Sequence, residues 1–173
     1  MTFGRWIIAA ALIAAALIAA PGLAHAQEGS GCNGFKWPLD HERAALVRAD
    51  KASLPNGGAL AYDVPMRLEL QPLSAAGLPK APERAPKSPS AFAGHFTLAP
   101  PAKAGAYRVT ISSEGWVDVL DGGAYLHPTA FTGARDCEGA RKSVKFDLPD
   151  RPLALQFSGV PKDQISVIVS PEP

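Results

Sequence analysis

The chain is predicted to fold as a mainly β protein, an antiparallel β-sandwich of about eight strands with one short N-terminal helix. Three observations carry this: apolar residues recur with period two over most of the chain from Met66 onward, the segments between them are short and turn-rich, and only one stretch reads as helical. Strands with one polar face and no intervening helices belong in antiparallel sheets rather than a parallel α/β sheet.

In chain order, Arg5 precedes an apolar run from Trp6 to Ala20, Pro21-Gly22 breaks it, and Ala24-His25-Ala26 offers a small-x-small cleavage pattern. Residues 1–26 are therefore expected to be a secretory signal peptide, the run being too short and Ala-rich for a bilayer span. Residues 27–173 then form a single domain with no membrane anchor, placed in the periplasm or secreted. Of 17 Lys+Arg and 16 Asp+Glu in the whole chain, the leader removes Arg5 and no acid. The domain that remains carries no net charge, which excludes nucleic-acid binding driven by its overall field.

Cys32 and Cys137 are the two cysteines. In an oxidising compartment they are expected to form a disulfide, since a metal or redox pair lacks the C-x-x-C spacing. Closing a loop of about 100 residues stabilises a fold by roughly 4–5 kcal/mol on the chain-entropy model. The helix is expected at about residues 39–50, opening on Asp40 as an N-cap type residue, with Leu39, Leu46 and Val47 against the domain and Arg43 and Arg48 in water.

The strands follow. Met66, Leu68 and Leu70 alternate with Arg67 and Glu69; Phe96 and Leu98 with His95 and Thr97; Tyr107, Val109 and Ile111 with Arg108 and Thr110; Val117 and Val119 with Trp116 and Asp118. Asp121-Gly122-Gly123 marks a hairpin into Ala124–His127, because Gly supplies positive φ at no steric cost. Val144, Phe146 and Leu148, then Leu153, Leu155 and Phe157, then Ile165, Val167 and Val169 complete the set. Between the first two strands, residues 72–90 hold Pro72, Pro79, Pro82, Pro86 and Pro89. This Pro-rich loop reads either as a partner-binding arm or as a stiff crossover guarding a sheet edge.

Chemistry-bearing motifs are few. There is no Gly-x-Ser-x-Gly elbow, and Asn56-Gly57-Gly58 and Asp121-Gly122-Gly123 lack the context of a phosphate loop. His41, His95 and His127 are the histidines past the leader, and none sits in a His-Glu-x-x-His motif. No catalytic residue, metal ligand or cofactor is assigned. Asp118 and Asp121 alone are a weak calcium pattern. The most distinctive grouping is Trp116 beside Asp118 on the outward strand face, with Arg135 in the cluster that ends at Lys142. An aromatic ring beside a carboxylate and a guanidinium fits a sugar or polar-ligand platform; it equally fits a Trp packed under a neighbouring loop with ordinary ion pairs around it.

At Cys32-Asn33-Gly34-Phe35-Lys36-Trp37-Pro38-Leu39, Pro82-Glu83-Arg84-Ala85-Pro86-Lys87, Gly105-Ala106-Tyr107-Arg108-Val109 through Trp116-Val117-Asp118-Val119, and Gly133-Ala134-Arg135-Asp136-Cys137 through Phe146, the chain resembles a family of small exported alphaproteobacterial proteins. Members often bear the name homogentisate 1,2-dioxygenase. That name implies an iron-dependent dioxygenase, for which His41, His95 and His127 are the available histidines. The Gly105-Ala106-Tyr107-Arg108-Val109 strand is also similar to bacterial pre-peptidase C-terminal domains, which are β-sandwiches. The residues themselves favour a non-catalytic module binding a small ligand, glycan or envelope protein through Trp116, Asp118 and Arg135. A metal-dependent oxygenase and a structural envelope protein stand as alternatives.

Overall fold

The computed structural model describes Met1, residues 29–49 and residues 53–173. Apart from Met1, the expected signal peptide lies outside the described residues. The elements are β1 (Gly29–Ser30), α1 (Asp40–Val47), β2 (Ser53–Leu54), β3 (Ala59–Leu60), β4 (Met66–Glu69), β5 (Gln71–Pro72), β6 (Phe92–Leu98), β7 (Gly105–Ile111), β8 (Trp116–Asp121), β9 (Ala124–Leu126), β10 (Ala130–Arg135), β11 (Lys142–Leu148), β12 (Leu153–Val160) and β13 (Gln164–Pro171). One sheet runs β1-β10-β11-β7-β13-β4-β2 and the other β3-β6-β12-β8-β9, with β5 added to β6. Pairing is antiparallel among the long strands, and parallel where the two-residue strands β1, β2 and β3 join the edges. Very short edge strands leave little unpaired backbone for another chain to use.

The core lies between the sheets. Phe96, Val119, Leu155 and Phe157 from the second sheet meet Leu68, Val109, Ile111 and Phe146 from the first, all fully buried. Each contributes about 1.5–3 kcal/mol by leaving water. The period-two strands therefore sit on the faces that their apolar residues dictate. The Asp121-Gly122-Gly123 hairpin is also present: Asp121 pairs with Ala124, and Gly122 and Gly123 take φ of 56° and 86°, as a two-residue turn of this hand requires.

β10 escapes the alternation rule. Phe131 is 61% exposed, while Thr132 and Ala134 are buried. In register, Phe131 opposes the core residue Val144 and Thr132 opposes Ser143, so Phe131 is on the core side of its strand but near the sheet edge, where it stays exposed. The Lys36 ammonium stands 5.3 Å from the centre of its ring. Thr132 is buried because the N-terminal segment lies over the outer side, where the Lys36 backbone N–H donates to Thr132 Oγ1 at 2.9 Å.

Cys32 and Cys137 are joined in a disulfide with a sequence separation of 105, as expected. It ties the N-terminal segment to the loop after β10. Gly29 and Gly34 meet so closely there that a Cβ on Gly29 would stand 2.5 Å from Gly34 Cα. The helix is shorter than expected, and its N-cap is Leu39, with Asp40 inside the first turn. Leu39 and Leu46 are buried as anticipated, but Val47 is 55% exposed and Glu42 is buried in its place. Leu39, Glu42 and Leu46 recur at three- and four-residue steps and so share one face, whereas Val47 lies a further 100° round the helix.

Candidate functional site

The two sheets turn their outer faces away from the core, and each is covered by chain of a different kind. Over the first sheet lie the N-terminal segment and α1. Arg108, 6% exposed, donates to Glu42 Oε1 at 3.5 Å, to Glu172 Oε1 at 3.4 Å and to the Pro38 carbonyl at 3.3 Å. Ser170 Oγ donates to the same Glu42 oxygen at 3.0 Å. Lys145 pairs with Glu172 and stacks over the Trp37 ring at 4.3 Å. The Lys145 hydrogen bond, then the charges of Lys145 and Arg108, hold the Glu172 carboxyl below its ordinary range against the opposing effect of burial. A cleft of about 400 Å³ opens here beside His41 and Asp63. Of its charged walls, Arg108 is paired with Glu42 and Glu172.

The second sheet carries Trp116 and Asp118. Register places His95, Gln156 and Asp118 in one row across β6, β12 and β8, with Ser158 opposite Trp116 in the adjoining row. Val117 and Phe157 point into the core, so strand alternation turns this whole polar set outward. Three of its members are nonetheless buried, Gln156 at 0% exposed, Ser158 at 1% and Asp118 at 3%, while Trp116 and His95 are half-buried. The Pro-rich connection between β5 and β6 lies across it as a strap. The backbone N–H of Glu83 donates to Asp118 Oδ2 at 3.3 Å, and Arg84 sits over the Trp116 ring at 5.5 Å. Pro86 is the neighbour a Cβ on Gly159 would meet, at 3.8 Å. Further along, Tyr125 Oη donates to the Ala81 carbonyl, Lys80 Nζ to the Gly123 carbonyl at 2.8 Å, and His127 Nδ1 lies 3.2 Å from Glu83 Oε1. Burial first, then the charges of Asp118 and Glu83, hold the Tyr125 phenol above its ordinary range and keep it a donor.

Asp118 is the centre of this arrangement. Its Oδ1 accepts from the Trp116 indole N–H at 2.6 Å, and its Oδ2 accepts from Gln156 Nε2 at 2.9 Å as well as from Glu83. The carboxylate is thus held by neutral donors, which fix both it and the indole plane. Lys142 approaches the ring at 5.2 Å while donating to the Gly115 carbonyl at 2.8 Å. Arg135 is exposed at the end of β10 in the first sheet, in register with Ser30. The cations stacked on Trp116 are Arg84 and Lys142. Arg84 and Gln156 were missed in the sequence, where Arg84 lies in a loop of unknown path and Gln156 is one polar residue on an alternating strand.

The remaining candidates are dispersed. His41 is on α1, His95 on β6, and His127 follows β9. Among the described residues no three His, Cys, Asp or Glu side chains are grouped to hold a metal ion. Asp121 is engaged by Arg151 through two hydrogen bonds of 2.8 and 2.6 Å. No helix among the described residues is long and apolar enough to cross a membrane. Compared with protein-family models, with curated proteins and with solved structures, the chain finds no match in any of the three.

Proposed function

We propose that this protein is an exported, non-catalytic binding module whose small ligand, glycan or envelope-protein partner docks on the outer face of the second sheet at Trp116 and Asp118. The observation that carries the reading is the fixed indole: a part-buried Trp116 held by a 2.6 Å bond to a buried carboxylate, with Arg84 and Lys142 against its ring. Binding sites combine aromatic surface with a few polar groups locked in place before the ligand arrives. The positive charge beside the ring comes from Arg84 of the strap and from Lys142, which reaches it from β11 of the first sheet. The disulfide supports residence in an oxidising compartment.

Calorimetric titration of the exported protein with oligosaccharides and envelope-protein candidates tests this. Any ligand that binds should lose at least about tenfold in affinity in Trp116→Ala, equivalent to about 1.4 kcal/mol. Ligands bound equally well by wild type, Trp116→Ala and Asp118→Asn would place the site elsewhere.

A further inference from the structure

The polar set beneath the strap is incompletely satisfied. Gln156 Oε1, Ser158 Oγ and His95 Nδ1 are buried without a hydrogen-bond partner, and all three residues belong to the outward rows that carry Asp118 and Trp116. A buried polar atom left unpaired costs about 1–3 kcal/mol, so concentrating three on one small face is a cost that the fold itself does not require. A Leu or Val at position 156 or 158 would cover the face without it.

What would satisfy these atoms is definable from their chemistry. Gln156 Oε1 needs a donor, Ser158 Oγ can donate or accept, and His95 Nδ1 serves as either according to its tautomer. Hydroxyl groups meet all three demands, and Trp116 beside them suits the C–H-rich face of a sugar ring. The strap imitates such a ligand. Its Glu83 backbone N–H occupies the Asp118 acceptor, and its Arg84 guanidinium occupies the Trp116 ring, but it brings no group to Gln156 Oε1 or Ser158 Oγ.

We propose that the strap-covered face is a site for a neutral sugar, held closed by the strap as an internal pseudo-ligand, so that sugar and strap compete for Asp118 and Trp116. The inference rests on the binding-module reading and adds the ligand class and its gate. The strap can yield because its attachments are single hydrogen bonds, ion pairs and ring contacts, with no covalent tie. Opening it changes no strand pairing in the core of either sheet.

The test titrates the exported protein with maltotriose, cellotriose and N,N′-diacetylchitobiose, reading Trp116 fluorescence in a Trp37→Phe background. Glu83→Pro combined with Arg84→Ala removes the imitating N–H and guanidinium. Tyr125→Phe, which loosens the strap at Ala81, serves as the milder second variant should the first fail to fold. The expected result is that at least one sugar binds ten-fold or more tighter to a loosened variant than to wild type, and that Gln156→Leu in the loosened background abolishes the gain. Folded, loosened variants that bind every sugar no tighter than wild type overturn the proposal. So does a gain that survives Gln156→Leu. Should those variants fail while an oligogalacturonate binds wild type and is lost in Trp116→Ala, the binding-module reading stands without the sugar gate; should Trp116→Ala leave that binding unchanged, both fall.

Discussion

The two outer faces of the sandwich solve the same problem in opposite ways. Both bury polar side chains that strand alternation turns outward, and both hide them under irregular chain. Over the first sheet the buried charges are compensated by opposite charges, Arg108 with Glu42 and Glu172, and the covering segment is fastened by Cys32–Cys137. Over the second sheet one carboxylate is held by neutral donors, three polar atoms lack partners, and the cover is attached without a covalent bond. Unpaired buried atoms occur at both faces, Trp37 Nε1 and Arg108 Nε at the first and Gln156 Oε1, Ser158 Oγ and His95 Nδ1 at the second, so the contrast lies in charge compensation and attachment. A cover that neutralises the charges beneath it and is stapled in place is part of the fold, whereas one attached without a covalent bond over a carboxylate held by neutral donors is suited to exchange with a ligand.

Cutting the staple should have the largest effect. Cys32→Ser is expected to lower stability by about 4 kcal/mol, given the loop it closes, as read from urea unfolding with the slope fitted separately for each protein. A loss below about 1 kcal/mol would mean that the N-terminal segment docks on its own and that the two covers are equivalent. Next, Glu42→Ala leaves Arg108 buried with a single carboxylate, and should cost about 3 kcal/mol. On the other face Asp118→Asn weakens the acceptor that the Trp116, Gln156 and Glu83 N–H groups share, so about 1.5 kcal/mol is expected, with a change in Trp116 emission as the local readout. An Asp118→Asn cost larger than that of Glu42→Ala would reverse the contrast.

The smallest effect is in the pH dependence. Because the Glu172 pKa is lowered in the folded state, its contribution is complete above the ordinary carboxylate range and is lost as pH falls through the lowered value. Glu172→Gln should therefore flatten the acid limb of the stability profile, measured by thermal unfolding across pH, and leave stability near neutrality reduced but flat. An acid limb identical to wild type would show that Lys145 and Arg108 do not hold the carboxylate as described.

Much of the architecture was legible because it follows from period-two burial. The strands with Val109, Phe146, Leu155 and Val167 each present one apolar face, and only a sandwich buries all of them. The disulfide was legible by elimination, there being two cysteines. β10 was not, because its exposed Phe131 and buried Thr132 invert the rule; position at a sheet edge decides burial there, and an edge is invisible in sequence. The site was half legible. Trp116 and Asp118, two apart on one strand, had to share a face, but Arg135 lies on the other sheet, and Arg84 and Gln156 reach Trp116 and Asp118 only through the fold.

The sequence by itself determined which residues alternate, where the tight hairpin lies and which pair of sulfurs closes the chain, because these depend on neighbours within a few positions or on simple counting. The tertiary structure alone decided which chain covers each outer face. That choice turned Glu42 inward and Val47 outward, buried Asp118, and brought a proline-rich segment across Trp116. Burial of an outward-facing polar residue is set by what is laid over it, and that covering comes from distant parts of the chain that no local pattern encodes.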